Sequence, residues 1–314
     1  MRYFFVANAL HRRHERSLNQ CLKYLESLGH TVELVYTRYP GHAKELAYRA
    51  ALEGWECVVG AGGDGTLHEV LNGIIGSHCL LALYPMGTGN VFAREMRLPT
   101  SWKAIARMLD ERHTISLDVG KANDRFFLLM LSAGFDAYAL RTLSVMEGSQ
   151  RERGLRKLFG KFAYVVGGLQ ALGKYRFPMI TVEIGEKTHE ASFVLVSNIQ
   201  RYGRYFKITP RATPVDGKLD VFLYQEVGTW NLLRLVWRVL STLWQPYGTT
   251  TLFRREESLQ CESLRLTAKE KVFSQLDGEP FDTLPLTITI HPKAIRMILP
   301  KTIHQKYRES ERKS

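Results

Sequence analysis

Along the first 120 residues, short β-branched runs alternate with longer amphipathic ones, the pattern of βα units around a parallel sheet. The runs predict strands at Tyr3–Ala7, Thr31–Tyr36, Cys57–Gly60, Leu80–Tyr84 and Thr114–Asp118. Leu18, Cys21, Leu22, Leu25 and Leu28 recur at helical spacing, and 43–52, 67–75 and 102–109 also read as helices. After Asp118 the runs become short, rich in strand formers and separated by turn residues: Phe126–Leu131, Ile180–Ile184, Phe193–Ser197, Leu219–Tyr224, Leu264–Ala268 and Leu286–His291. The expected fold is therefore α/β plus all-β. A three-layer α/β domain spans 1–122, an antiparallel β-sandwich-like domain spans 123–300, and a charged tail, 301–314, is expected to fray. The boundary falls at the turn-like Lys121-Ala-Asn-Asp124.

One predicted helix interrupts the β region, from Trp230 to Trp244. Its polar positions Asn231, Arg234, Arg238, Ser241 and Gln245 fall on a narrow stripe, and Trp237 and Trp244 belong to the apolar remainder. Such a face either packs on the second sheet or touches lipid through tryptophans and arginines.

Composition narrows the setting. With 45% apolar residues in 314, the chain can bury a sizeable core, and its net charge of +12 favours an anionic partner. The four cysteines form no CxxC pair, which speaks against a zinc or disulfide scaffold and suits a reducing, cytoplasmic compartment. The apolar run Tyr3–Leu10 precedes the basic His11-Arg-Arg-His14, the reverse of a signal peptide's order. No stretch approaches the roughly 18 apolar residues of a spanning helix, so membrane contact is expected to be peripheral. Basic residues are scattered and no nucleic-acid reader module is present, so nucleic acid is not an expected partner. The basic cluster Arg151, Arg153, Arg156, Lys157 and Lys161 is a solvated face or a contact with anionic lipid. The oligomeric state is left open, a homodimer included.

The sharpest chemical signal is Gly60-Ala-Gly-Gly-Asp-Gly-Thr66, between a predicted strand and a predicted helix. Glycines let a backbone approach phosphate, and a helix N-terminus offers free N–H groups. A second loop, Pro85-Met-Gly-Thr-Gly-Asn90, follows the next strand, with Asn90 expected to cap the helix that starts at Val91. In a parallel sheet both emerge at the carboxyl ends of neighbouring strands, where such folds bind ligands. Two facing glycine loops argue for a polyphosphate. Gly60, Gly62 and Gly65 satisfy the dinucleotide pattern, but in the third βα unit and without an acid about 20 residues on. Gly168 to Tyr175 misses a P-loop because Tyr175 replaces the Ser or Thr that meets magnesium.

These residues resemble the diacylglycerol kinase catalytic-domain superfamily, in particular the bacterial soluble lipid kinases. The likeness runs through Gly62-Gly-Asp-Gly-Thr66, Pro85-x-Gly-Thr-Gly-Asn90 with Phe92-Ala-Arg94, Ser132-Ala-Gly-Phe-Asp136, Pro210-x-Ala212 with Asp216-Gly217, and Asp277-Gly-Glu279. It implies ATP-dependent phosphoryl transfer to a lipid hydroxyl, with ATP and Mg2+ in the cleft between the domains. It carries nucleotide contacts onto Thr37, Gly62, Gly63, Asp64, Gly65, Thr66, Leu67, His68 and Thr88, with Gly87 and Asn90 in the same second loop. By the same likeness Asp277 is the catalytic base, Glu279 orients or supports the metal, and Asp216, Leu219 and Val221 form a structural magnesium site, with Asp64 also facing the triphosphate. The implied partner is a membrane-presented lipid on an anionic surface.

Three positions depart from the family pattern. Ala9 replaces the proline that commonly follows Asn8, which leaves Asn8 able to reach a phosphate; Val91 and Val215 replace acids. Two other readings compete: an NAD kinase-like enzyme, which shares Gly-Gly-Asp-Gly, and a non-catalytic nucleotide- or lipid-binding protein.

Overall fold

The computed structural model describes residues 1–146, 175–203, 206–231, 233–234 and 258–311. Most of the tryptophan helix and the whole basic cluster at 151–161 lie outside the described residues.

The N-terminal half follows the predicted alternation. β1 (Arg2–Ala7), a 3-10 turn (Ala9–His14), α1 (Glu15–Ser27), β2 (Thr31–Tyr36), α2 (His42–Leu52), β3 (Cys57–Gly62), α3 (Asp64–Ile74), β4 (Leu80–Pro85), α4 (Val91–Glu95) and α5 (Trp102–Glu111) succeed one another. The four strands pair in parallel in the order β2-β1-β3-β4. Right-handed crossovers send α1 and α2 to opposite faces, which makes the three layers. β3 is buried along its whole length, the signature of a strand covered on both sides. α3 starts three residues ahead of its apolar period, taking Asp64, Gly65 and Thr66 into its first turn.

β5 (Thr114–Ala122) runs through the expected boundary and turns at Asn123-Asp124 into β6 (Arg125–Phe127), with Ala122 opposite Arg125. The next strand is β7 (Met130–Ala133), so the predicted run Phe126–Leu131 is two strands with a break at Leu128–Leu129. α6 (Phe135–Met146), β8 (Ile180–Ile184), β9 (Lys187–Ala191), β10 (Phe193–Ser197), the short pair β11 (Arg201–Tyr202) and β12 (Phe206–Lys207), and β13 (Leu219–Tyr224) follow. β14 (Ser258–Cys261), β15 (Ser263–Ala268), β16 (Phe273–Leu276), β17 (Glu279–Thr283) and β18 (Leu286–Ile298) complete the β region. One sheet is antiparallel in the order β14-β13-β10-β7-β16-β17. Its inward residues Leu131, Val194, Val196 and Val221 meet Val182, Leu264, Leu266 and Ile288 of the other sheet in one buried cluster, the core of a sandwich.

That other sheet is continuous with the N-terminal one, in the order β2-β1-β3-β4-β18-β15-β8-β9, with β5 against β18. β18 is about twice its predicted length: Leu286–His291 pairs with β15 and the end of β5, while Ile295–Ile298 pairs with the start of β5 and reaches β4 through Met297 opposite Leu81. Pro292 and the left-handed Lys293 (φ +53°) read in sequence as a strand end. In the fold they form a bulge whose freed Lys293 N–H donates to Asp118 Oδ1 (2.7 Å), while Gly217 N donates to Oδ2 (2.6 Å). The unit boundary is therefore a cut through the loops but not through the sheet.

The expected frayed tail is instead helix α7 (Lys301–Glu311). Ile303 and Tyr307, one turn apart, are buried in the N-terminal core. Two apolar positions among so many charges are too few to register as a period. No helix among the described residues is long and apolar enough to cross a membrane. Because Ile303 closes the core, Ile303→Ala should destabilise the protein by about 2–5 kcal/mol in chemical denaturation, whereas a frayed tail would show no change.

Candidate active site

In the order β2-β1-β3-β4 the chain reverses direction between β1 and β3, and at such a switch point the loops beyond the carboxyl ends diverge into a crevice. A cavity of about 440 Å³ lies there, lined after β1 by Asn8 to Leu10, after β2 by Thr37 to Pro40, and after β3 by Gly63, Gly65 and Thr66. Glu69 and Glu279 close it. Of the residues singled out in sequence, Asn8, Thr37, Gly63, Gly65, Thr66 and Glu279 meet in this cavity. Arg38, its only lysine or arginine among the described residues, and Glu69 were not anticipated. Glu69 accepts from Gly41 N and Ala43 N (2.9 Å each), supplying the cap that α2 lacks in its own sequence.

The two glycine loops are packed on each other. Met86 N and Gly87 N donate to Gly62 O at 2.8 and 3.2 Å, and a Cβ on Gly87 would lie 2.6 Å from Gly63 Cα. Backbone touching backbone is what demands glycine here, independently of any ligand. Asp64, expected to face the triphosphate, turns to the second loop, where its carboxylate accepts from Val91 N (2.9 Å) and Phe92 N (3.0 Å). It thereby caps α4 from another loop. Burial pushes its pKa up, and those two N–H bonds oppose the rise. Asn90 holds the N-cap position as expected, but its side chain does not cap: the residue is left-handed (φ +47°) and donates from Nδ2 to Gly87 O at 2.8 Å. Position 91 acts through its N–H, so the acid missing there does not break the link. Thr66 approaches Asn8, with Nδ2 to Oγ1 at 3.5 Å; Leu67 is buried, and Thr88 is exposed.

Asp277 occupies the first position of the turn between β16 and β17, with φ +50°, followed by Gly278 at +89°. This pair of left-handed residues makes the Asp-Gly hairpin turn. The carboxylate is 2% exposed. Its Oδ1 accepts from Leu129 N (2.9 Å) and Met130 N (3.0 Å), and its Oδ2 accepts from Leu128 N (3.0 Å) and faces His68 Nδ1 (3.1 Å). Four partners fill the roughly four lone-pair sites of a carboxylate. This arrangement also breaks the predicted strand at 128–129, because those N–H groups bond a side chain instead of a neighbouring strand. Asp277, expected to be the base, has no lone pair left for an incoming proton.

Glu279, two residues on, points into the cavity. A Cβ on Gly65 would collide with its Oε1, so the bare glycine makes room for the carboxylate. Burial raises its pKa; His68 and Arg125 oppose the rise, while Glu69 and Asp277 add to it. A carboxylate at a cavity wall with a raised pKa takes up a proton more readily than an ordinary glutamate, which suits it to act as a base.

A sequence profile described as "Diacylglycerol kinase catalytic domain" matches residues 2–122, and one described as "YegS C-terminal NAD kinase beta sandwich-like domain" matches residues 130–299, more than half the chain. The chain belongs to this lipid kinase family. A diacylglycerol kinase of Staphylococcus haemolyticus is 26% identical over 302 residues, covering 92% of this chain and 85% of the relative. A Pseudomonas aeruginosa protein named "Probable lipid kinase YegS-like" is 28% identical, covering 83% and 82%. The fold matches a crystal structure of a diacylglycerol kinase from Bacillus anthracis str. Sterne with a TM-score of 0.69 at 20% identity, covering 96% of this chain and 97% of that one. These relatives do not favour the NAD kinase-like reading.

In this kinase the expected magnesium residues sit at the entrance to β13. Asp216 Oδ1 accepts from Lys218 N (3.1 Å), and partial burial together with Asp220 and Asp118 pushes its pKa up to about 6. Leu219 and Val221 are buried ladder positions of β13, opposite Cys261 and Leu259. Among the described residues no three His, Cys, Asp or Glu side chains converge on one point. Asp277→Asn would set an amide NH2 against backbone donors, and each donor left without an acceptor costs about 1–3 kcal/mol. Equilibrium denaturation should show that loss, whereas a residue serving only as base would leave stability unchanged.

Proposed function

We propose that this ATP-dependent lipid kinase phosphorylates a diacylglycerol or a lipid of similar build, and that Glu279 is its general base. The observation that carries the second part is the contrast between the two acids of Asp277-Gly-Glu279: one is saturated inside the protein, the other faces the cavity. The family and the printed names of the relatives support the lipid acceptor. Phosphoryl transfer needs mostly positioning and charge neutralisation, with one carboxylate near the attacking oxygen. On this reading Gly63, Gly65 and Thr66 offer the first-turn N–H groups of α3 to phosphate oxygens, Arg38 adds a positive charge, and Glu279 removes the hydroxyl proton. The nucleotide enters as its magnesium complex.

A resident magnesium at Asp216 is a separate part of the proposal. One carboxylate completed by main-chain carbonyls and water is an all-oxygen donor set, which suits this hard cation. The neighbouring Asp118 and Asp220 make the spot electronegative. The acceptor's acyl chains reside in a bilayer, so the enzyme is proposed to dock on it reversibly through its net charge of +12 and exposed apolar side chains such as Trp230, which is 73% exposed.

Incubation with labelled ATP, magnesium and a total lipid extract in phosphatidylglycerol vesicles should label a lipid bearing a free hydroxyl, and less so in phosphatidylcholine vesicles. With NAD added to the same mixture, label appearing in NADP and not in lipid would overturn the proposal. Glu279→Gln should lower turnover by about 100- to 10,000-fold with ATP affinity retained. The acid limb of the wild-type pH profile should lie above the ordinary glutamate range, since a raised pKa keeps the base protonated to higher pH. Magnesium should raise the Tm of the wild type but not of Asp216→Asn.

A further inference from the structure

A buried polar chain runs away from the Asp277–Glu279 turn and has no place in the chemistry above. Gln275 and Ser132 are cross-strand partners on β16 and β7, and both are buried. Gln275 Oε1 accepts from Gly278 N at 2.7 Å, and its Nε2 donates to Ser132 Oγ at 2.8 Å. Ser132 Oγ donates in turn to Asp136 Oδ2, the same oxygen that accepts from Tyr202 OH at 2.7 Å. Asp136 Oδ1 accepts from Ala137 N at 2.6 Å.

The direction of the bonds at Gln275 is dictated from the Gly278 end, where a backbone N–H can only donate. A serine hydroxyl has one hydrogen, and here it is committed to Asp136, so only its lone pairs face Gln275. Gln275 must therefore present its NH2 to Ser132 and its oxygen to the turn. At the other end, the N–H of the second residue of a two-residue hairpin turn has no main-chain partner of its own. Gly278 is that residue, and the side chain of Gln275 captures its N–H. Leu276 stands opposite Glu279 across the same hairpin, so the plane of the Gly278 peptide sets where the Glu279 backbone begins.

We infer that Gln275 is a positioning residue for phosphoryl transfer: anchored through Ser132 to Asp136, it fixes the Gly278 peptide and thereby aims the Glu279 carboxylate at the acceptor hydroxyl. The inference rests on the reading of Glu279 as base. Gln275 does not line the cavity, so it touches neither nucleotide nor acceptor there. Asp277 holds the turn to the body of the protein through 128–130, and Gln275 fixes the remaining rotation of the peptide that follows. A misplacement of about 1 Å at a reacting group costs on the order of 100-fold in rate, so a single lost hydrogen bond in this position reaches the chemistry.

The polarity of the chain supplies the test. Gln275→Met removes both bonds at similar volume. Gln275→Glu turns an acceptor toward Ser132 and forces its hydrogen away from Asp136. Adding Asp136→Asn reverses the chain: the new amide can donate both to Ser132, which then donates to residue 275, and to the Tyr202 hydroxyl, which changes from donor to acceptor. With ATP and phosphatidylglycerol vesicles carrying diacylglycerol, Gln275→Met should lower kcat about 10- to 100-fold at unchanged KM for ATP. Its Gly278 amide should exchange hydrogen faster than in the wild type. Gln275→Glu should be similarly impaired, and Gln275→Glu combined with Asp136→Asn should recover most of the loss, a coupling that independent sites do not show. Wild-type kcat in Gln275→Met overturns the inference, as does a fall in activity that merely tracks a lower Tm with no recovery in the double variant. Glu279→Gln distinguishes the two levels: full activity in that variant sinks the base assignment itself, whereas an inactive Glu279→Gln beside a fully active Gln275→Met sinks only the role of Gln275.

Discussion

The carboxylate of Asp277 is the point on which both halves of the molecule depend. It gathers three consecutive backbone N–H groups from the β6–β7 connection and the imidazole of His68 from α3, so it joins the phosphate-loop helix to the sandwich through one buried group. A buried carboxylate is tolerable only when its lone pairs are met, and here all are. The strand break at 128–129, the left-handed backbone at 277 and the orientation of Glu279 follow from that satisfaction. The motif Asp277-Gly-Glu279 thus divides its labour between a residue that holds and a residue that faces the cavity.

The glycine loops carry a similar double meaning. Their lack of side chains suits phosphate, but the contact of Gly63 with Gly87 shows that the loops also need it in order to touch each other. Asp64 then bridges the same pair by capping α4. The nucleotide loops are in this sense one object built from two separated sequences, and its shape is set by internal packing before any ligand arrives.

Much of this was legible in the chain. The βα alternation, the placement of the antiparallel strands and both glycine loops register as local patterns, because periodicity and glycine clustering are local facts. What escaped was non-local. The second half of β18 hides behind Pro292, since only Asp118, far away in sequence, makes the bulge tolerable. Helix α7 hides because two buried residues among charges leave no period. Which acid of Asp277-Gly-Glu279 faces the cavity was likewise unreadable: a motif names the residues, but the φ angles of the turn and the partners waiting inside decide where each points. Glu69 gave no signal either, because its cap serves a helix that precedes it by a full strand.

β18 has a consequence for the order in which the protein can be made. Its last residues lie between β4 and the start of β5, yet the strands of the sandwich intervene in sequence between β5 and these residues. The N-terminal units can pair β1 to β4 on their own, but the flank of β4 stays open until β18 arrives. Contacts this distant in sequence form late. A truncated or stalled chain therefore exposes a hydrogen-bonding edge next to the phosphate loops and leaves the turn bearing Glu279 without its finished sandwich. The site is in this way finished only once β18 has closed both the sheet and the sandwich.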